Sequence, residues 1–168
     1  MSIATDLLAD FDKEIANTRR MLEAIPDGRW DWKPHAKSMA LGQLAGHVAE
    51  MLGWTEGMLG GDLDFAALGS SYRPFVATGR KELMETFEKG AARLLAALSG
   101  RSDAALRETW TMRKGPQVLM SMPRHAAVRA NGLHHVIHHR GQLTVYLRLL
   151  GVPVPPTYGP TADMPMMG

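Results

Sequence analysis

Four of the chain's seven histidines crowd one stretch: His134, His135, His138 and His139. Two imidazoles four residues apart on a helix converge on one cation, because their Cβ atoms lie a turn apart. At 100° per residue, His135 and His139 point within about 40° of each other. Their sector also holds Val128, Gly132, Leu143, Tyr146 and Leu150, the apolar stripe, so both rings face inward. His134 and His138 share the spacing but turn toward Ala127, Asn131 and Val145, beside that stripe. A catalytic ion takes a third protein ligand and keeps a position open for substrate. His47 fits that place, in mid-helix at the edge of an apolar stripe. His35 sits in a Pro-bounded loop and His125 at a helix start. The expected site is one divalent ion (Zn, Ni, Fe or Cu) held by His47, His135 and His139. A lone buried histidine is more often a hydrogen-bonded core residue. Two of them one turn apart would each need a buried partner of their own.

Competing metal motifs fail on single residues. Val136 follows His135, so the glutamate of HExxH is missing. Leu44, Gly132 and Val136 stand three before the three histidines, so no Glu-x-x-His pair exists for a di-iron site. Among the neighbours, Gln142 shares the inward sector and is expected to hydrogen bond between helices. Arg140 falls outside the stripe, in a surface or packing role, and Tyr146 joins the core. Glu50, one turn after His47, falls in a polar sector and is expected to be solvated. The catalytic acid or base is left unassigned.

Four amphipathic segments must position these residues. Residues 3–24 carry Leu7, Phe11, Ile15, Thr18 and Leu22 at steps of three or four, with Ser2 as N-cap and Pro26-Asp27-Gly28 as stop. Residues 41–59 carry Leu41, Leu44, Val48, Met51 and Leu52, and 80–98 carry Leu83, Phe87, Ala91, Leu94 and Leu98. The last helix, 123–150, is the longest, on the order of 40 Å. Residues 62–78 show no period and are expected to form a surface connection. Alternation around Trp110 and Met112, a Lys114-Gly115-Pro116 turn and Val118 to Met120 suggest a short hairpin. The expected fold class is all-α: an up-and-down four-helix bundle with an irregular connection or short hairpin before the last helix. Residues 1–152 form the bundle and 153–168 a Pro/Gly-rich tail.

Composition narrows the function classes. With 168 residues the chain is long enough for one well-cored domain. Its formal charge is only +2 and its acids and bases are interspersed, which argues against nucleic-acid binding. Cysteine is absent, which removes disulfides, thiolate metal sites and a cysteine nucleophile. Acidic residues from Asp6 to Glu14 interrupt the N-terminal stretch, so neither a signal peptide nor a membrane span is expected. A cytoplasmic location follows as the default.

Trp32-x-Pro34, Leu41-Gly42-Gln43-Leu44-Ala45-Gly46-His47 and His135-x-x-His138-His139-Arg140-Gly141-Gln142 together resemble the DinB/YfiT-like superfamily of metal-binding four-helix proteins. Gly151-Val152-Pro153 and Tyr158-Gly159-Pro160 extend the resemblance over nearly the whole chain. It implies that His47, His135 and His139 correspond to the family's histidines, and that two copies pair as a homodimer. It also implies chemistry with a low-molecular-weight thiol, since some relatives are metal-dependent thiol S-transferases. The leading expectation is thiol transfer to a small electrophile. The alternatives are a non-catalytic metal-binding or stress-response protein and a hydrolase using metal-activated water.

Overall fold

The computed structural model describes residues 2–69 and 72–165. Helix α1 covers Ile3–Glu23, and the Ser2 hydroxyl accepts from Thr5 N at 3.2 Å to satisfy one orphan amide. Helix α2 covers Leu41–Gly60; the Gln43 side chain reaches back to accept from Ala40 N at 2.8 Å. The chain then crosses through strand β1, Leu63–Asp64, and helix α3, Phe65–Leu68, to helix α4, Arg80–Leu98. A short helix α5, Asp103–Arg107, leads into strands β2, Thr109–Lys114, and β3, Gln117–Pro123. One helical run completes the fold: α6, Arg124–Ala127, a π-helical turn at Val128–Leu133, and α7, His134–Leu149.

The expected stripes of α1, α2 and α4 meet in one core. Helix α7 joins them along Val136, Arg140, Leu143 and Leu147, a face turned from the expected one through His135, His139 and Gln142. Leu7, Phe11 and Leu22 of α1 lie with Leu44, Val48 and Leu52 of α2, Leu83, Phe87 and Leu94 of α4, and Val136, Leu143 and Leu147 of α7. Each such side chain contributes roughly 1.5–3 kcal/mol by leaving water. The all-α expectation holds only in part, because the chain is mostly helical and also carries a three-stranded sheet of order β1-β2-β3. The hairpin β2–β3 turns at Gly115, whose φ of 58° suits glycine, and β1 joins β2 in parallel. Trp110 fixes this sheet to the helices: its ring is fully buried and its indole donates to Gly61 O at 3.0 Å.

The up-and-down order is corrected. Gly132, His139 and Tyr146 meet Thr55, His47 and Met39 in turn, so α7 runs antiparallel to α2. Arg80 reaches Ile25 and Glu88 reaches Arg19, so α4 is antiparallel to α1. Asp10 meets Arg129 and Glu14 meets Arg140, so α7 runs with α1. Helices α2 and α4 therefore run the same way, with α1 and α7 opposed to both. Residues 61–79 make the return: an extended segment of that length outspans the roughly 30 Å of a 20-residue helix.

That return is more than a surface connection. Residues 72–77 lie directly on the α2 backbone. A Cβ at Gly42 would overlap the Ala77 carbonyl oxygen, and one at Gly46 would overlap that of Phe75. Ala77 N also donates to Gly42 O at 3.0 Å. The two glycines in Leu41–His47 are thus where one backbone lies on another. Gly46→Ala should destabilise the protein by about 1–3 kcal/mol in urea denaturation, since backbone rather than a flexible side chain must yield. Unchanged stability would show that the segment is not seated there. Residues 70 and 71, within the expected connection, lie outside the described residues.

Candidate metal centre

Two helices bring the three candidate histidines together. His47 comes from mid-α2, and His135 and His139 from the first turns of α7. One ring nitrogen from each lies within 4.8 Å of the others. Ring centroids stand 4.7 Å apart for His47 and His139, 5.4 Å for His47 and His135, and 4.6 Å for the α7 pair. His47 and His139 are half-buried and His135 is more open, so the cluster sits at the solvent edge of the helix interface. His134 and His138 are exposed, as is much of His135, so it is proximity to His47 and not burial that sets the His135/His139 pair apart. His35 accepts from Lys37 N, and His125 faces the Leu106 carbonyl, both away from the cluster.

Close backbone approach makes the convergence possible. Gly132 lies against Thr55, whose side-chain atoms a Cβ would strike. The π-turn ends one residue later and sets the phase with which α7 begins. π-turns often accompany functional sites. Asn131-Gly132, two poor helix formers, were the sequence signal for it.

The donor set fits a divalent cation. His139 Nδ1 stands 2.7 Å from Gln142 Oε1, which only accepts, so the proton is on Nδ1 and the Nε2 lone pair is free. That Nε2 faces His135 Nε2 at 2.8 Å, two ring nitrogens that a shared cation would satisfy together. Burial pushes His139 down to about 4, with the neighbouring His47, His135 and His138 acting the same way against the Gln142 bond. Burial and then His47 lower His135 likewise. Both rings are therefore neutral at pH 7, the state that ligates.

Two residues around the cluster differ from expectation. Gln142 does not bridge helices: besides His139, its amide donates to His138 Nε2 at 3.3 Å, all within α7. Its i, i+3 spacing from His139 was a usable signal. Glu50 is not a solvated acid, because its side chain is only 14% exposed and its Oε1 stands 3.6 Å from His47 Nδ1. Its carboxylate also accepts from Phe75 N at 3.1 Å and from the Tyr72 hydroxyl at 3.4 Å. Burial, and then Glu50's charge, raise the Tyr72 pKa. Glu50 thus ties the return segment to His47, and nothing local in the sequence announced that amide partner. Arg140, expected outside the stripe in a surface or packing role, is instead buried on the inner face of α7. Tyr146 is buried as expected and donates to Met39 O at 3.0 Å.

Cavities open on both sides. One of about 620 Å³ lies against His47, Glu50, Tyr72 and Arg73. Another of about 370 Å³ lies against His139, Gln142, Leu44 and Tyr146. Among the described residues, no helix is long and apolar enough to cross a membrane.

Comparison with known proteins agrees with this architecture. An uncharacterised Bacillus subtilis protein, YrdA, is 25% identical over 157 residues, covering 93% of this chain and 88% of its own. A DinB-like protein from Bacillus cereus superposes with a TM-score of 0.70 at 23% identity, over 90% of this chain and 95% of the other. A DinB-like protein from Bacillus subtilis gives 0.68 at 18%, over 90% and 97%. A mycothiol-dependent maleylpyruvate isomerase gives 0.58 at 15%, over 85% of this chain but only 63% of the isomerase. At these identities the structural likenesses establish the fold. The sequence model of the DinB family matches residues 1–165, and the chain belongs to that family.

Proposed function

We propose that this chain is a metal-dependent thiol S-transferase whose ion is held by His47, His135 and His139. The observation that carries the reading is the convergence of three imidazoles, two of them neutral, with Gln142 and Glu50 behind His139 and His47. Gln142 fixes the His139 tautomer, and the Glu50 carboxylate stands 3.6 Å from His47 Nδ1. When bound, a divalent ion supplies a Lewis acid that lowers the pKa of an incoming thiol. The thiol comes from outside, since the chain has no cysteine. Its sulfur bonds to an electrophilic carbon, the leaving group departs with its electron pair, and the thiol proton passes to solvent.

A structural neighbour that uses a small thiol supports this choice of chemistry. Hydrolysis stands behind it, because the nearby carboxylate of Glu50 is engaged with Phe75 N and Tyr72. A bundle of residues 1–152 with a tail packed on it, a homodimer and a cytoplasmic location belong to the same proposal. The test is a cobalt-substituted sample titrated with 2-mercaptoethanol. A shift of the visible absorption that saturates with thiol is expected. A spectrum unmoved at saturating thiol would leave a closed, non-catalytic metal centre as the better reading.

A further inference from the structure

The two cavities beside the histidine cluster differ in chemistry as well as in size. Both touch Met39, which separates them, while His47 borders only the larger and His139 only the smaller. The smaller cavity is walled by Pro34, Leu44, Val145 and Tyr146, with no Asp, Glu, Lys or Arg in its lining. Of its polar groups, the Tyr146 hydroxyl donates to Met39 O and Gln142 is engaged with His139 and His138, which leaves the Ser38 hydroxyl as the polar group facing a ligand. Trp32 packs edge-on behind the Tyr146 ring at 5.7 Å and stiffens that wall. A charged ligand entering there would lose hydration without gaining a counter-charge.

The larger cavity has the opposite character. Glu50 and Arg73 bring charge to it, and Gln43 and Tyr72 add polar groups. Both volumes fall within the ordinary range of small-ligand sites, about 300–1,000 Å³. The His47 and His139 rings, one on each side, are 4.7 Å apart between centroids. Ligands in the two cavities would each lie against one ring of the cluster, within the proximity that a two-substrate reaction needs.

We infer that the cavity on the His139 side is a separate subsite for a small, uncharged, apolar electrophile, and that the His47 side receives the polar body of the thiol. The inference rests on the transferase reading and adds to it which substrate each side takes. Met39 is the partition, and Val145 a specificity-determining wall.

The test is amide chemical-shift mapping on zinc-titrated protein, which does not require turnover. The probe is 1,3-dinitrobenzene, the unreactive counterpart of an activated aryl halide. It should shift the amides of Leu44, Val145 and Tyr146 and leave those of Phe75 and Val76 in place. Val145→Trp, at a position 55% exposed and so tolerant of bulk, should weaken the probe by about tenfold or more. It should leave the 2-mercaptoethanol midpoint unchanged, and Val76→Trp should do the reverse. Shifts centred on Phe75 and Val76, no shifts at all, or equal weakening of both ligands by Val145→Trp would overturn the assignment. A thiol that leaves the cobalt spectrum unmoved sinks the transferase reading instead. The mapping then still decides whether this cavity selects uncharged apolar ligands.

Discussion

Replacing His135 or His139 by Ala should abolish the proposed stoichiometric binding of a divalent ion, and His47→Ala should do the same from the opposite helix. Each substitution leaves two imidazoles, and the affinity lost should exceed the ~10–100-fold that outer partners carry. Gln142→Leu and Glu50→Gln should fall inside that smaller range. Gln142→Leu frees the His139 tautomer, and Glu50→Gln removes the carboxylate charge near His47 Nδ1. His134→Ala should be silent. His138→Ala should cost little, because that ring touches the cluster only through its acceptor contact with Gln142 and its edge against His139. Isothermal titration with zinc, after chelator treatment of untagged protein, separates the three tiers. If His138→Ala equals His139→Ala, the ligand set has been assigned to the wrong α7 pair.

The part of this centre legible in the sequence is the part that depends on helical phase. Helical spacing put His135 and His139 on one side, and both do lie beside His47. It placed the buried face wrongly: that face runs through Val136, Arg140 and Leu143, and His135 is open to solvent. The same logic located the buried stripes of α1, α2 and α4. Periodicity carries no information on helix direction, however. Helix α4 has the same stripe whichever way it runs, and only contacts such as Arg80 with Ile25 reveal its sense. The connection before it was too long for a tight turn, and that length was the one hint of a crossover. Glu50 escaped for a related reason. Helical phase put it off the stripe, but its cover is the backbone of residues 72–77, which sequence spacing does not bring near. Arg140 was hidden by its partner, since a buried Glu14 on α1 looks like a surface acid in any local pattern.

Arg140→Ala should lower stability by about 3–5 kcal/mol, the usual cost of breaking a buried ion pair from one side. For a chain of this length that is roughly a 6–20 °C fall in Tm. Its side chain is 2% exposed and reaches the Glu14 carboxylate at 2.6 Å, so truncation leaves a carboxylate buried without its counter-charge. Nη1 also donates to Glu14 O at 3.2 Å and to the Thr18 hydroxyl at 3.1 Å. Nη2 donates to the Tyr158 hydroxyl at 2.8 Å, which itself donates to Glu14 at 2.8 Å. Burial, reinforced by the bond to Glu14, raises the Tyr158 pKa and keeps that hydroxyl a donor at neutral pH. One guanidinium thus fastens α7 to α1 and the C-terminal segment to both. Lysine keeps the charge but has no planar fork to span these partners, so Arg140→Lys should recover only part of the loss. Tyr158→Phe removes one hydroxyl and should cost about 1–3 kcal/mol. The decisive comparison is the double variant Glu14→Leu, Arg140→Met, which removes both charges together. It should regain most of the stability lost in Arg140→Ala, because the penalty lies in the orphaned carboxylate rather than in the missing attraction. Thermal and urea denaturation of the set measure this. If Arg140→Ala melts with the wild type, the pair is not buried in solution. If the double variant is as unstable as the single one, the guanidinium's remaining bonds to Thr18 and the tail carry the stability instead.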